Sequence, residues 1–302
     1  MSSILQLHDY RSLIDLQPRP YKRTEKSLDY YGCIKILTEY FQHFASLHRN
    51  PTIEEQRFFI RSCLTKRTLS GNFDLPQNIY ELIDDLLLYE RDHLKSLTVA
   101  ESLPIQFPSF PHLRVWRGDI TTLIVDAIVN AGNSQLLGCF QPSHLCIDNV
   151  IHAAAGPRLR NDCYTIMAHQ NGLEPVGRAK VTIGHNLPSK YVLHTVGPQI
   201  FDLKNVSSDD IRSLASCYES CLNLATEMKT IKSIAFCCIS TGLFSFPSDQ
   251  ACMIAVQTVI HWFEQHRSQT NISLIIFNIF QSHDEQLYLS TFHNMVKSLG
   301  KM

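Results

Sequence analysis

Apolar positions recur at helical spacing through the first hundred residues, then collect into short runs separated by amphipathic stretches. In the stretch "TEKSLDYYGCIKILTEYFQHFASL", Leu28, Ile34, Leu37, Phe41, Phe44 and Leu47 form one stripe. A period near 3.6 predicts a helix there. "PTIEEQRFFIRSCLTKR" opens with Thr52 and Glu55 at capping-box spacing, a helix-start signal. "PQNIYELIDDLLLYERDHLK" repeats the helical period through Ile79, Leu82, Ile83, Leu86 and Leu87. Residues 1–100 thus read as a helical extension, and the proline-bearing segment 101–111 reads as a linker.

From residue 112 to 302 the pattern changes. "LRVWRG", "TLIVDAIVNA", "RAKVTIGHN", "KYVLHTVG", "KSIAFCCIS" and "ISLIIFNIF" are rich in β-branched and aromatic residues and read as strands. Helical periods fill the gaps, from "NVIHAAAGPRLRNDCYTIMAH" to "HDEQLYLSTFHNMVKSL". The alternation predicts an α/β unit with helices on both faces of a mixed or mostly parallel sheet. Ligands of such sheets sit beyond the carboxyl ends of the strands, so the loops that follow strands are the places to look for chemistry.

Composition narrows the function classes. Lys plus Arg number 27 and Asp plus Glu number 28, so no basic excess argues for a nucleic-acid partner. No apolar run approaches the length of a membrane span. The opening residues lack the basic and apolar regions of a secretory signal, which points to the cytoplasm and a reducing compartment. The ten cysteines are then expected to be thiols or metal ligands rather than disulfides.

Three post-strand loops carry candidate chemistry. In "RGDITTL", Asp119 can cap backbone amides or accept from a ligand amine. Asn130 and Asn133 leave the strand "IVDAIVNA" with amides suited to hydroxyl-rich ligands. Directly after them, Cys139, His144 and Cys146 form C-x4-H-x-C. Thiolates and imidazole are the usual zinc ligands, and three of them leave a coordination position open. Two buried thiols beside a surface histidine would give the same spacing. In the third loop, "SIAFCCISTGLFSFP", a hydroxyl- and glycine-bearing strand-to-helix turn can offer backbone N–H groups to phosphates.

Taken together, "GDIT", "DAIVNAGN", "IHAAAGP", "YVLHTVGP" and "STGLFSFP" resemble the macrodomain family, whose members bind ADP-ribose. With "CFQPSHLC" in place of a glycine-rich stretch, the chain is similar to the zinc-containing microbial macrodomains, which also carry a helical extension. The resemblance implies a three-layer α/β/α fold with a mixed sheet. It implies that Asp119 and Ile120 meet the adenine, and that Ser240, Thr241, Gly242, Leu243 and Phe244 hold the diphosphate. It places Asn130, Asn133 and Asp148 around the distal ribose, beside one zinc ion per chain on Cys139, His144 and Cys146. It implies a zinc-dependent hydrolase acting on ADP-ribosylated protein, with mono-ADP-ribose ester-linked to Asp or Glu. A reader that binds the modification without cleaving it is the alternative. The chain departs from the family at Ser245, where glycine is common.

Overall fold

The computed structural model describes residues 4–18, 29–67, 74–202 and 205–299. Leu28 of the first predicted stripe lies outside the described residues, as do the last three residues of the 112–302 unit. The short helix α1 (Leu7–Tyr10) is followed by α2 (Tyr30–Gln42), α3 (Ile53–Lys66) and α4 (Gln77–Tyr89). Asp29 caps α2 by accepting from the Gly32 amide. The Thr52–Glu55 capping box is present at α3, each side chain bonded to the other's backbone amide. Helices α2–α4 share their own core, built around Ile34, Leu37, Ile60, Ile83 and Leu86. The first stripe overruns its helix: Phe44 lies beyond α2 and is exposed.

The sheet domain follows as β1 (Thr98–Val99), β2 (Leu113–Arg117), β3 (Leu123–Ile124), β4 (Ala127–Gly132), α5 (Ile147–Ala155), α6 (Pro157–Gln170), β5 (Ala179–Ile183) and β6 (Tyr191–Val196). It closes with α7 (Ser208–Met228), β7 (Ser233–Phe236), α8 (Ser248–His266), β8 (Leu274–Ile279) and α9 (Ser282–Leu299). Six strands form one sheet in the order β2-β8-β7-β4-β6-β5. All neighbours are parallel except β5 and β6, so the sheet is mixed. Strand β8 is buried at every position, as expected for a strand covered on both faces. Strands β1 and β3 pair separately. No helix among the described residues is long and apolar enough to cross a membrane.

Two predicted elements are each split by a local constraint. "TLIVDAIVNA" reads as one strand but bends at Asp126. That carboxylate accepts from the Lys232 and Ser233 amides and from Lys190, which pins the bend to the neighbouring strands. "NVIHAAAGPRL" reads as one helix but breaks at Gly156, where φ is 90°. An L-residue resists that conformation, and Pro157 then starts α6. Within segment 101–111, Phe107 and Phe110 are buried in the sheet core against Phe292.

The helical layer is clamped to the sheet domain by polar contacts. Asp84 of α4 accepts from Arg158 at 2.8 Å and from Asn186 at 2.7 Å. Buried Arg160 of α6 donates to the carbonyls of Leu64, Thr65 and Arg67, three acceptors at the carboxyl end of α3. The Leu64 carbonyl also accepts from the Arg67 amide, and Arg160 adds a side-chain donor to all three carbonyls, so it acts as a cap. Arg160→Met is expected to leave them desolvated and to lower stability by about 3 kcal/mol or more. A urea titration reads the loss, and an unchanged midpoint would mean that the clamp contributes nothing.

Candidate active site

The loops after β2, β4 and β7 meet at the carboxyl edge of the sheet. At the centre, Asn130 from the end of β4 donates its amide to Asp148 Oδ1 at 2.8 Å. Asp148 lies in the first turn of α5 and is buried. Burial pushes its carboxyl up to about 6, while the Asn130 hydrogen bond and Arg160 pull the other way. The same Asn130 nitrogen lies 3.2 Å from His194 Nδ1. A carboxylate only accepts, so it orients the amide nitrogen toward itself. The second N–H then meets His194 Nδ1 as an acceptor, which fixes the imidazole as the Nε2–H tautomer. His194 Nε2 in turn lies 2.9 Å from Thr182 Oγ1. Burial lowers His194 to about 3, so the ring is neutral. Asn130 Oδ1 is buried and, among the described residues, accepts no hydrogen bond. It remains available to a ligand hydroxyl.

Between β4 and α5 runs the loop carrying the two cysteines. Asn133 staples it, accepting from the Gln135 amide and donating to the Gly138 carbonyl. Its side chain is therefore engaged with its own turn. Gly138, at φ 80°, lies so close to the His152 ring that an added Cβ would come within 3.0 Å of it. Asn149 donates to the carbonyls of Gln141 and His144 and holds the far half of the loop. These constraints bring Cys139 Sγ to 3.6 Å from His144 Nδ1. Cys146, close enough to Cys139 to bond it, is pushed up to about 11 by burial, with Asn149 opposing and Cys139 adding. Zn–S bonds of about 2.3 Å and Zn–N bonds of about 2.1 Å at the tetrahedral angle give an S···N edge of roughly 3.6 Å. The Cys139–His144 edge matches that length, but Cys139, His144 and Cys146 do not all bring their donor atoms within 4.8 Å of one another.

A second donor group lies deeper. His152, Cys163 and His194 place one ligand atom each within 4.8 Å of one another, and all three are buried. This cluster could hold a metal ion. His194 already serves Asn130 and Thr182, however, and burial drives the Cys163 thiol well above its ordinary value. A protonated thiol is a poor ligand, which bears on Cys146 of the outer loop as well as on Cys163.

The other two loops supply backbone. Asp119 caps a short 3-10 turn, accepting from the Thr121 amide and hydroxyl, and its second oxygen faces Lys95 at 3.7 Å. Ile120 has its side chain in the core, so only its backbone can meet a ligand. In the loop after β7, Ser240 has φ 66° and a buried hydroxyl without a partner. Phe244 gives its carbonyl to the Ile200 amide, and Ser245 donates to Gly242. Among the described residues, the amides of Gly242, Leu243 and Phe244 donate to nothing. Three N–H groups in succession without acceptors can donate to an anion.

Residues 129–255 match the Macro domain family. A protein-ADP-ribose hydrolase of Staphylococcus aureus (strain MRSA252) is 47% identical over 215 residues, covering 71% of this chain and 77% of that one. The chain belongs to the macro domain family. A protein-ADP-ribose hydrolase of Treponema medium is 46% identical over 239 residues, or 78% of this macrodomain chain and 87% of that protein. Among solved structures, the Trypanosoma brucei macrodomain in complex with ADP-ribose aligns at TM-score 0.54 and 30% identity, covering 76% and 94% of the two chains. The Oceanobacillus iheyensis macrodomain with MES bound aligns at TM-score 0.54 and 34% identity, covering 62% and 93%.

Four residues of this macrodomain site escaped the sequence reading: His194, Asn149, Thr182 and Arg160. His194 alone left a signal, as an ionisable side chain inside a strand that is otherwise apolar.

Ser245 has φ 56°, the left-handed region that favours glycine. The serine Cβ is strained there, so Ser245→Gly is expected to raise stability by about 1 kcal/mol. A thermal melt checks this. A lower melting temperature would mean that the backbone carries no strain at this position.

Proposed function

We propose that this macrodomain hydrolyses the bond at the anomeric carbon of the distal ribose, releasing mono-ADP-ribose from protein side chains, with Asp or Glu esters as the substrate class. The observation that carries the reading is Asp148, a buried carboxylate held ionisable near neutrality beside a loop of soft metal donors. A module that only bound ADP-ribose would need neither. The relatives named as protein-ADP-ribose hydrolases support the activity. The free amides of residues 242–244 suit the diphosphate, and the Asp119 turn, with the Ile120 backbone, suits the adenine. Asn130 Oδ1 and Asn133 frame the distal ribose. On this reading residues 1–100 are an extension, 101–111 a connection and 112–302 the catalytic unit, working in the cytoplasm.

Cys139, His144 and Cys146 would hold one zinc ion. Bound there, zinc supplies a Lewis acid that acidifies water or anchors a ribose hydroxyl. The protein's own part is Asp148. Its carboxylate, oriented by Asn130, positions a water and takes its proton as the water attacks the anomeric carbon. Because the carboxyl titrates at about 6, it is the ionised base at neutral pH and is silenced by protonation below that. His194 stays neutral throughout and serves to hold Asn130.

Asp148→Asn is expected to lower turnover of an ester-linked ADP-ribosylated peptide by ~10²–10⁴-fold with ADP-ribose affinity retained. The wild-type rate should fall as pH drops through 6. Stability carries the opposite sign. The folded pKa of about 6 exceeds the ordinary value of 3.8, so the ionised carboxylate opposes folding at high pH. The variant should therefore be more stable than wild type by up to about 3 kcal/mol at pH 8, and by nothing below pH 4. Undiminished turnover in Asp148→Asn would remove the base assignment. Binding by a wild-type protein that turns nothing over would make the domain a reader.

Elemental analysis should find one zinc per chain, lost in Cys139→Ser and Cys146→Ser and kept in Cys163→Ser. Zinc lost only in Cys163→Ser would move the metal to the buried cluster.

A further inference from the structure

The helical layer and α5 enclose a cleft of about 260 Å³, with a smaller cavity of about 30 Å³ beside it. Arg61 of α3 lines both. The other cations at the cleft have partners. Arg57 forks Glu90 through Nε and Nη2. Arg91 pairs with Asp92 and donates to the Asn186 carbonyl. Lys95 donates to Thr121 and faces Asp119. Arg61 differs: its Nε and Nη2 are buried and, among the described residues, have no hydrogen-bond partner. No carboxylate among the described residues forms an ion pair with it.

Two features make this arrangement specific. Nε and Nη2 are the two nitrogens whose N–H groups lie parallel on one edge of a guanidinium. That edge is the fork that grips a carboxylate or phosphate bidentately. The half-buried position, next to the like charge of Arg57, also makes an empty fork unfavourable, and the two together pull the guanidinium below its ordinary value. A bound oxyanion relieves both penalties at once.

We propose that Arg61 is the anchor of an oxyanion site built between the helical layer and the macrodomain, taking a carboxylate or phosphate group. The cleft has room for an acidic side chain or a phosphate with several waters, since a water occupies about 30 Å³. It is lined by Asp119 and Thr121 at the 3-10 turn and by Val150, Ala153 and Ala154 of α5. Two sources carry that chemistry, free phosphate and an acidic residue of the modified protein, and the second rests on the hydrolase reading. The site itself does not.

The test uses the full chain with 15N-labelled arginine, the Arg61 Nε–H resonance being assigned from its absence in Arg61→Lys. Inorganic phosphate should shift that resonance saturably. It should also raise the melting temperature of wild type but not of Arg61→Gln. No saturable shift at Arg61, or equal stabilisation of the variant, overturns the site. Two ADP-ribosylated peptides, one with glutamates and one with glutamines beside the modified residue, then identify the source. Arg61→Gln should raise KM for the acidic peptide roughly tenfold, as expected for loss of a charge-assisted pair, with kcat and the neutral peptide unaffected. A phosphate shift with both KM values unchanged keeps the site and assigns it to free phosphate. If wild type turns over neither peptide, the hydrolase reading fails, and the resonance alone decides the oxyanion site.

Discussion

The hydrogen bond between Asn130 and Asp148 joins the end of a central strand to the start of a helix, and the site is arranged around it. A buried carboxylate with one donor is poorly solvated, which is why Asp148 titrates at about 6 rather than in the ordinary carboxylate range. More donors would stabilise the anion and weaken it as a base. Fewer would leave it protonated at neutral pH. One amide, itself held by a neutral imidazole, sets an intermediate value.

The helical layer takes part in that setting. Arg160 caps the end of α3 with one nitrogen, lies over the Phe140 ring of the cysteine loop with its guanidinium carbon 4.7 Å from the centroid, and lowers the Asp148 carboxyl through its field. A single side chain thus ties the position of α2–α4 to the donor loop and to the carboxylate. Displacing the helices would uncap α3 and alter the charge environment of Asp148 together. That coupling gives the helical layer a physical reason to accompany this sheet.

The sheet was legible because each buried strand is a short β-branched run and each helix keeps its period. The misreadings fall where a single polar or glycine contact overrides the pattern, at Asp126 and Gly156. Phe107 and Phe110 were hidden by the prolines around them, since turn-like sequence says nothing about what its aromatic residues pack against. In the site, one contact within a loop was legible: the spacing put Cys139 and His144 side by side, 3.6 Å apart, without gathering Cys146 into the same close group. Residues that act across the fold were not. Asn149, Thr182 and Arg160 are ordinary in their local sequence, and only the folding of α5, β5 and α6 onto one another gives them partners.

Depth separates the roles of chemically similar groups. His144 is exposed and keeps its lone pairs accessible, whereas His194 is sealed, neutral and committed to hydrogen bonds. Cys139 is partly exposed, whereas Cys163 is enclosed and held protonated. Two sets of histidine and cysteine therefore lie within one site, the outer one partly exposed and the inner one enclosed, and burial raises a thiol in each, Cys146 and Cys163. In the inner set His194 also fixes Asn130. Asp148 sits between the two sets, buried in the first turn of α5 and next in sequence to the outer loop.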